Sequence, residues 1–177
     1  SWLRSHQRVF ACARNYCRNT SAVAPAAASV CVKALLQRVS HASVRVDGAI
    51  VGEIEQGLLV LLGLDKNDSP ELGERMLDKI LAYRLFADDN DRMNRSVADI
   101  GGGVLLVSQF TLSADTRKGL RPSFSSAMPP AEAEPLYQTM LASLQGKHDT
   151  VAAGSFGADM QVALVNDGPV TFLLELD

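Results

Sequence analysis

From Val32 onward apolar and polar residues follow one another with a definite period, and that period changes along the chain. Residues 32–39 read as one strand and 42–46 as a second, with Val44 and Val46 on one face. Asp47-Gly48 is a hairpin signal leading into a strand over 49–54. Gln56-Gly57 then opens a continuous apolar run, 58–64, of the kind covered on both faces. Beyond it the period turns helical. Leu72, Met76, Leu77, Ile80, Leu81 and Leu85 recur behind Asp68-Ser69-Pro70-Glu71, which offers a capping side chain, an early proline and a first-turn acid. This helix is expected to end near Phe86, before the polar run 88–95. Residues 104–107 read as another buried strand. Gly101-Gly102-Gly103 before it invites a phosphate-loop reading, but a strand follows, without Gly-Lys-Ser/Thr, so a flexible turn is expected.

Polar residues end that strand as Ser108-Gln109-Phe110-Thr111. In an extended chain Gln109 and Thr111 face one way, Ser108 and Phe110 the other. From 113 to 129 there is no apolar period, and loops of that length are usually functional or disordered. Arg117, Lys118 and Arg121 make it the best local anion patch; a solvated surface loop is the plainer reading. Residues 130–144 predict a second helix with Leu136, Tyr137, Met140, Leu141 and Leu144 on one face and Gly146 as its cap. Two apolar runs, 160–165 and 170–174, close the chain as strands. Between them lies Asn166-Asp167-Gly168-Pro169-Val170-Thr171. Proline gives no N–H to a ladder, so local sequence alone reads this stretch as a turn. About seven or eight strands and two helices, with hairpins where loops are short, predict an α+β fold with a mainly antiparallel sheet.

Composition divides the chain in two. Residues 1–32 hold no Asp or Glu, yet carry Arg4, Arg8, Arg14 and Arg18 and all three cysteines, Cys12, Cys17 and Cys31. An N-terminal extension over 1–31 is therefore set apart from a single domain over 32–177. An Arg-rich, acid-free stretch suits an organellar transit peptide, or sequence upstream of the true start. Of the 17 basic residues, removing these four arginines leaves 13 against 20 acidic ones, a formal charge of −7 for the body. That body lacks cysteine, which excludes a disulfide framework, a thiolate metal cluster and a cysteine nucleophile. Its acidity argues against broad phosphate tracking and leaves a nucleic-acid partner only a small basic patch. No run approaches membrane-spanning length.

Ordinary catalytic devices are missing. His41, expected in a turn, and His148, after a helix, show no metal-ligand spacing and make a poor basis for a triad. Asp88, Asp89 and Asp91 sit in a polar loop and read as solvated. No cofactor and no metal are expected.

Two motifs change the picture. Ser108-Gln109-Phe110-Thr111 together with Asn166-Asp167-Gly168-Pro169-Val170-Thr171 closely resembles the signature pair of D-aminoacyl-tRNA deacylases. The opening Lys33-Ala34-Leu35-Leu36-Gln37-Arg38-Val39, the Arg121-Pro122-Ser123-Phe124 stretch and Phe156-Gly157-Ala158-Asp159-Met160-Gln161-Val162 add to the likeness, which runs from about Val32 to Asp177. A sister group that edits mischarged L-alanine departs from Ser-Gln-x-Thr, which is intact here. The resemblance implies a barrel-like homodimer acting on the 3′ acceptor end of aminoacylated tRNA, in the cytoplasm unless residues 1–31 are a genuine transit peptide. It starts at Val32, which suggests a non-AUG start with 1–31 upstream of it. The Gly168-Pro169 bond is implied to be cis and inserted into the partner subunit's site. There its carbonyls would receive the substrate α-ammonium, with Asn166 beside them and Arg38 holding the motif. Ser108, Gln109, Phe110 and Thr111 would line the ester, Phe156, Ala158 and Met160 would cradle the terminal adenosine, and Phe124 would bind substrate. Thr171 is an obvious nucleophile candidate by position, but no base is in evidence to activate it, and a packing or positioning role is preferred.

Overall fold

The computed structural model describes residues 31–117 and 119–177. The extension at 1–31, except Cys31, lies outside the described residues, as does Lys118. The spine is one strand, β1 (Val32–Val46), where two were expected. His41 lies within it and not in a turn. The interruption that read as a strand end is a bulge: Val39 pairs Asn166 and His41 pairs Val165, leaving Ser40 as an extra residue. Along one edge β1 pairs antiparallel first with β3 (Gly57–Gly63) through 33–39, then with β2 (Ala49–Ile54) through 42–46. The opposite edge carries β8 (Gln161–Leu176), which spans both closing apolar runs as one strand. Asp47 and Gly48, both at positive φ, turn β1 into β2 as their sequence predicts.

Helix α1 (Pro70–Ala82) begins as expected, with Ser69 Oγ accepting the Leu72 N–H. It stops at Ala82, short of Phe86, because Tyr83 leaves helical geometry; Leu85 is buried beyond the helix. The polar run after it is not merely solvated. Phe86–Ala87 (β4) and Met93–Arg95 (β5) form a small hairpin around Asp88, whose carboxylate accepts the Asn90 and Arg92 N–H groups and Asn94 Nδ2. Those bonds, the one from Arg92 foremost, hold its carboxyl below the usual range. Gly102 and Gly103 are not flexible either: their N–H groups bond Val97 O and Gln56 O, and Gly103 opens β6 (Gly103–Ser108).

β6 runs parallel to β3, and β7 (Val151–Ala153), unforeseen in the sequence, runs parallel to β6. Parallel neighbours need a crossover, and the two helices supply them. The second, α2 (Pro130–Lys147), outruns its expected end, with Gly146 inside it and His148 as its cap. Leu141 is only partly buried, while Ala133 joins the buried face. Central strands alternate between two cores. Leu58, Val60, Leu62, Val104 and Leu106 pack under both helices, whereas Leu59, Leu105 and Val107 face Val39, Ala42, Val44 and Ile54 inside the curl of the sheet. The curl brings β2 onto β7 so closely that a Cβ at Gly52 would collide with Ala153 O. The result is α+β with a nearly closed barrel-like sheet and two helices.

One buried polar cluster sits below α1. Lys33 Nζ meets Asp65 Oδ2 at 2.7 Å, and the Asp65 N–H donates to Asp68 Oδ2 at 2.6 Å. Asp65 Oδ1 and Asp68 Oδ1 are buried without a hydrogen-bond partner. Burial pushes the Asp68 carboxyl up to about 6. A carboxyl whose pKa is higher folded than unfolded favours folding while protonated; that contribution is present below about pH 4 and lost as pH rises through 6. Asp68→Asn keeps an acceptor for Asp65 and removes the charge. Thermal unfolding should show it more stable than wild type at pH 7, by at most about 2–3 kcal/mol, with the difference vanishing near pH 4. A variant less stable than wild type at pH 7 would contradict this reading.

Candidate active site

The polar end of β6 does not stay extended. It passes into a 3₁₀ turn, Phe110–Ser113, so the expected alternation of Ser108 and Phe110 against Gln109 and Thr111 fails. The Gln109 N–H is taken by Leu62 O at 2.7 Å, and its side-chain amide donates to Thr111 Oγ1. This turn forms one wall of a cavity of about 370 Å³. Ser108, Gln109 and Phe110 line it from one side, Phe156, Ala158 and Met160 from the other. Thr111 and Phe124 are not among its lining residues. Phe124 instead lies against Phe110, ring centroids 5.1 Å apart. Tyr137 floors the cavity. Its hydroxyl donates to Leu106 O at 2.9 Å, the carbonyl that also accepts the Gly154 N–H, and its ring meets Phe156 at 5.7 Å. Burial pushes its phenol up to about 12, so it stays a donor. It read in the sequence as a helix-face core residue, and nothing there marks its second role.

Gly168 and Pro169 are elsewhere. Opposite Arg38 the β1–β8 ladder breaks: Gln37 pairs Thr171 and Val39 pairs Asn166, so 167–170 bow out against a single β1 residue. The Gly168-Pro169 bond is cis and both residues are exposed. Gly168 stands at φ +131°, and a Cβ there would meet Val170 Cγ2 at 2.7 Å and Arg38 Nη2 at 2.9 Å, so only glycine fits. Arg38 spans the gap that the bow leaves. Its Nε donates to Asp167 O at 3.0 Å and its Nη1 to Leu85 O at 2.7 Å. Asn166 braces the bow from within, Oδ1 accepting the Val170 N–H at 3.0 Å and Nδ2 donating to Thr171 Oγ1 at 2.8 Å. Because the backbone N–H fixes which end of that amide is oxygen, Thr171 Oγ1 must be the acceptor. Gln37 Nε2, unmarked in the sequence and placed by register alone, donates to the same oxygen at 3.3 Å.

Two clusters therefore stand apart in one chain: the cavity, and the bowed Gly-Pro segment, none of whose residues lines it. Among the described residues no histidine is hydrogen-bonded to either cluster. His148 Nε2 donates to Gly102 O at 2.6 Å, and His41, within β1, lies 3.7 Å from Glu53. Among the described residues no group of three or more His, Cys, Asp or Glu is placed to hold a metal ion. The loop after the 3₁₀ turn is less cationic than its sequence implies, since Arg117 Nε and Nη2 are bound to the Asp115 carboxylate. No helix of the described residues is long and apolar enough to cross a membrane.

Comparison with known proteins bears on these clusters. A family model described as D-Tyr-tRNA(Tyr) deacylase matches residues 35–175. Proteins named D-aminoacyl-tRNA deacylase from Stutzerimonas stutzeri and Cellvibrio japonicus are 62% and 59% identical over 144 and 143 residues, 81% of this chain and 99% and 98% of theirs. Among solved structures, a c-Myc DNA unwinding element binding protein superposes with a TM-score of 0.79 at 42% identity, covering 82% of this chain and 99% of its own. A probable eukaryotic D-amino acid tRNA deacylase has a TM-score of 0.72 at 14% identity over 82% of this chain and 100% of its own, a likeness of fold.

The bracing by Asn166 is open to direct measurement. In Asn166→Ala the Val170 amide loses its acceptor, and its hydrogen exchange should speed by roughly twofold to tenfold while core amides of β3 are unchanged. Unaltered exchange at Val170 would show that the bow holds itself.

Proposed function

We propose, for a chain that belongs to the D-Tyr-tRNA(Tyr) deacylase family, that chirality is tested by backbone groups and that hydrolysis is assisted by the substrate. The enzyme is a D-aminoacyl-tRNA deacylase, a hydrolase of the ester between amino acid and tRNA. In our reading the Gly168 and Pro169 carbonyls receive the α-ammonium of the amino acid. An α-carbon held that way turns an L side chain into protein, so rejection is steric. Nothing then reads the side chain itself, and D-amino acids of many kinds are accepted.

The observation that carries this reading is the separation of the two clusters. Gly168 and Pro169 are exposed and do not line the cavity described above. A homodimer resolves the separation by seating this segment in the partner's cavity, and Val165, Phe172 and Leu173 give β8 exposed apolar side chains for such contact. Phe156, Ala158 and Met160 then cradle the terminal adenosine, and the ester lies along Ser108, Gln109 and Phe110. Because the Gln109 N–H is already bonded, the oxyanion donors are the Phe110 and Thr111 N–H groups, which precede the first closed bond of the turn, Leu112 N–H to Gln109 O. Thr171, whose Oγ1 is held by two amide donors and faces no base, positions the bow and is not the nucleophile. The ribose hydroxyl of the substrate takes that part. Charged tRNA places the enzyme in the cytoplasm, or in an organelle if residues 1–31 direct it there.

A second reading, nucleic-acid binding without turnover, is favoured by the likeness to the DNA unwinding element binding protein. One deacylation assay separates them. Purified protein should cleave D-Tyr-tRNA, leave L-Tyr-tRNA intact, and cleave Gly-tRNA, which has no side chain to exclude. Resistance of Gly-tRNA with D-Tyr-tRNA cleaved would refute steric rejection, and no cleavage at all would favour the binding module. Gly168→Ala, which drives a methyl into Arg38 and Val170, should lose D-Tyr-tRNA hydrolysis by at least about a hundredfold, on the scale of misplacing a reacting group by 1 Å. Wild-type rates in that variant would reduce the motif to a turn.

A further inference from the structure

The cavity is small for its proposed ligand. At about 370 Å³ it lies near the lower end of ligand pockets, roughly 300–1,000 Å³, and holds one nucleoside-sized group. The rest of a single-stranded RNA end must pass over the rim. At that rim two aromatic rings are exposed together. Phe110 is 61% and Phe124 40% exposed, and their rings meet at a tilt of 55°. Phe110 lines the cavity itself, so the pair continues outward from it.

Phe124 is held there by its backbone. Asp115 and Ser123 exchange two backbone hydrogen bonds on one side of it, at 2.7 and 3.0 Å. On the other side the Lys66 N–H bonds Ser126 O at 3.0 Å and the Ala127 N–H bonds Phe124 O at 3.1 Å. The loop thus presents its aromatic from a pinned frame. Arg121, exposed three residues earlier, adds a positive charge in an otherwise acidic chain. Exposed aromatics with a cation on the same loop match single-stranded nucleic acid, whose bases stack on rings and whose phosphates seek charge.

We propose that the Phe110–Phe124 pair is a stacking platform for the nucleotide that precedes the terminal adenosine of the substrate RNA. It rests on the reading above that the cavity takes that adenosine. Recognition of this second base is by ring face and so is indifferent to its identity.

The test compares hydrolysis of 3′-O-D-tyrosyl-adenosine with that of the same ester carrying one further nucleotide on its 5′ side. In the wild-type enzyme the added nucleotide should raise kcat/KM by about fivefold to a hundredfold, the worth of one stacked base. In Phe124→Ala and Phe124→Leu that gain should shrink to about twofold or less, and Phe124→Trp should restore it. The leucine variant keeps an apolar filling for the loop, and its melting temperature guards against misfolding as the cause. An equal gain in wild type and both variants would overturn the proposal, as would no gain in wild type. A shift to monomer in Phe124→Leu, seen by sedimentation, would also overturn it by making the pair a contact between copies. A wild-type enzyme that cleaves neither ester would sink the underlying reading and the platform with it.

Discussion

Four residues of β8 facing one of β1 is the constraint on which the candidate site depends. Where 167–170 bow out, the ladder loses its regular pairing, and the groups so released need other partners. Arg38 supplies them from the strand across. A fork with fixed donor directions reaches Asp167 O with one nitrogen and Leu85 O with another, which a lysine ammonium on a flexible stem does not reproduce. The side chain is 15% exposed, and of its two bonds the one to Leu85 O is the better shielded from water. It ties the bow to the segment after α1, and so joins the site to the main core through buried Leu85. Asn166 and Thr171 complete the frame from β8 itself.

Under the proposed function, this frame lets backbone, not side chain, do the discriminating. Side chains along 167–170 bend the strand, but the groups offered outward at Gly168-Pro169 are common to all peptides. On that proposal selectivity resides in where those groups stand, and the register of the long β1–β8 pair sets their place. The cavity contributes the other half. It is built where β6 ends, α2 packs and the segment after β7 returns, with Tyr137 pinning the β6 carbonyl that also receives the Gly154 N–H. One half-site thus hangs on the antiparallel edge of the sheet and the other on its parallel edge.

Much of the fold was legible because local chemistry and pattern agree. Asp47-Gly48, the Ser69 cap and the two-faced apolar runs of β3 and β6 all behave as their residues dictate. The errors have physical causes. The pattern marks a strand boundary at Ser40, where the chain carries a bulge and continues. β8 was split at a proline that a bow accommodates within one strand. β7 has three residues and no alternation to reveal it. The Ser108–Thr111 stretch was treated as extended, but leaving the sheet it curls into a 3₁₀ turn, which repositions its N–H groups. Of the site, the two motifs were visible only by resemblance. Gln37, Tyr137 and Leu85 were not, since each acts through a partner more than thirty positions away that no local pattern encodes.

The central claim is that the bowed segment of one subunit completes the cavity of another. Mixed dimers test it most directly. One chain carries Gly168→Ala with its cavity intact; the other keeps Gly168 but has its cavity filled by Ala158→Phe. Each alone should be inactive on D-Tyr-tRNA. After co-refolding in equal amounts, half the dimers are mixed and each holds one complete site, so activity should return to about a quarter of wild type. If the mixture stays as inactive as its parts, the Gly-Pro segment serves its own subunit or none, and the account fails.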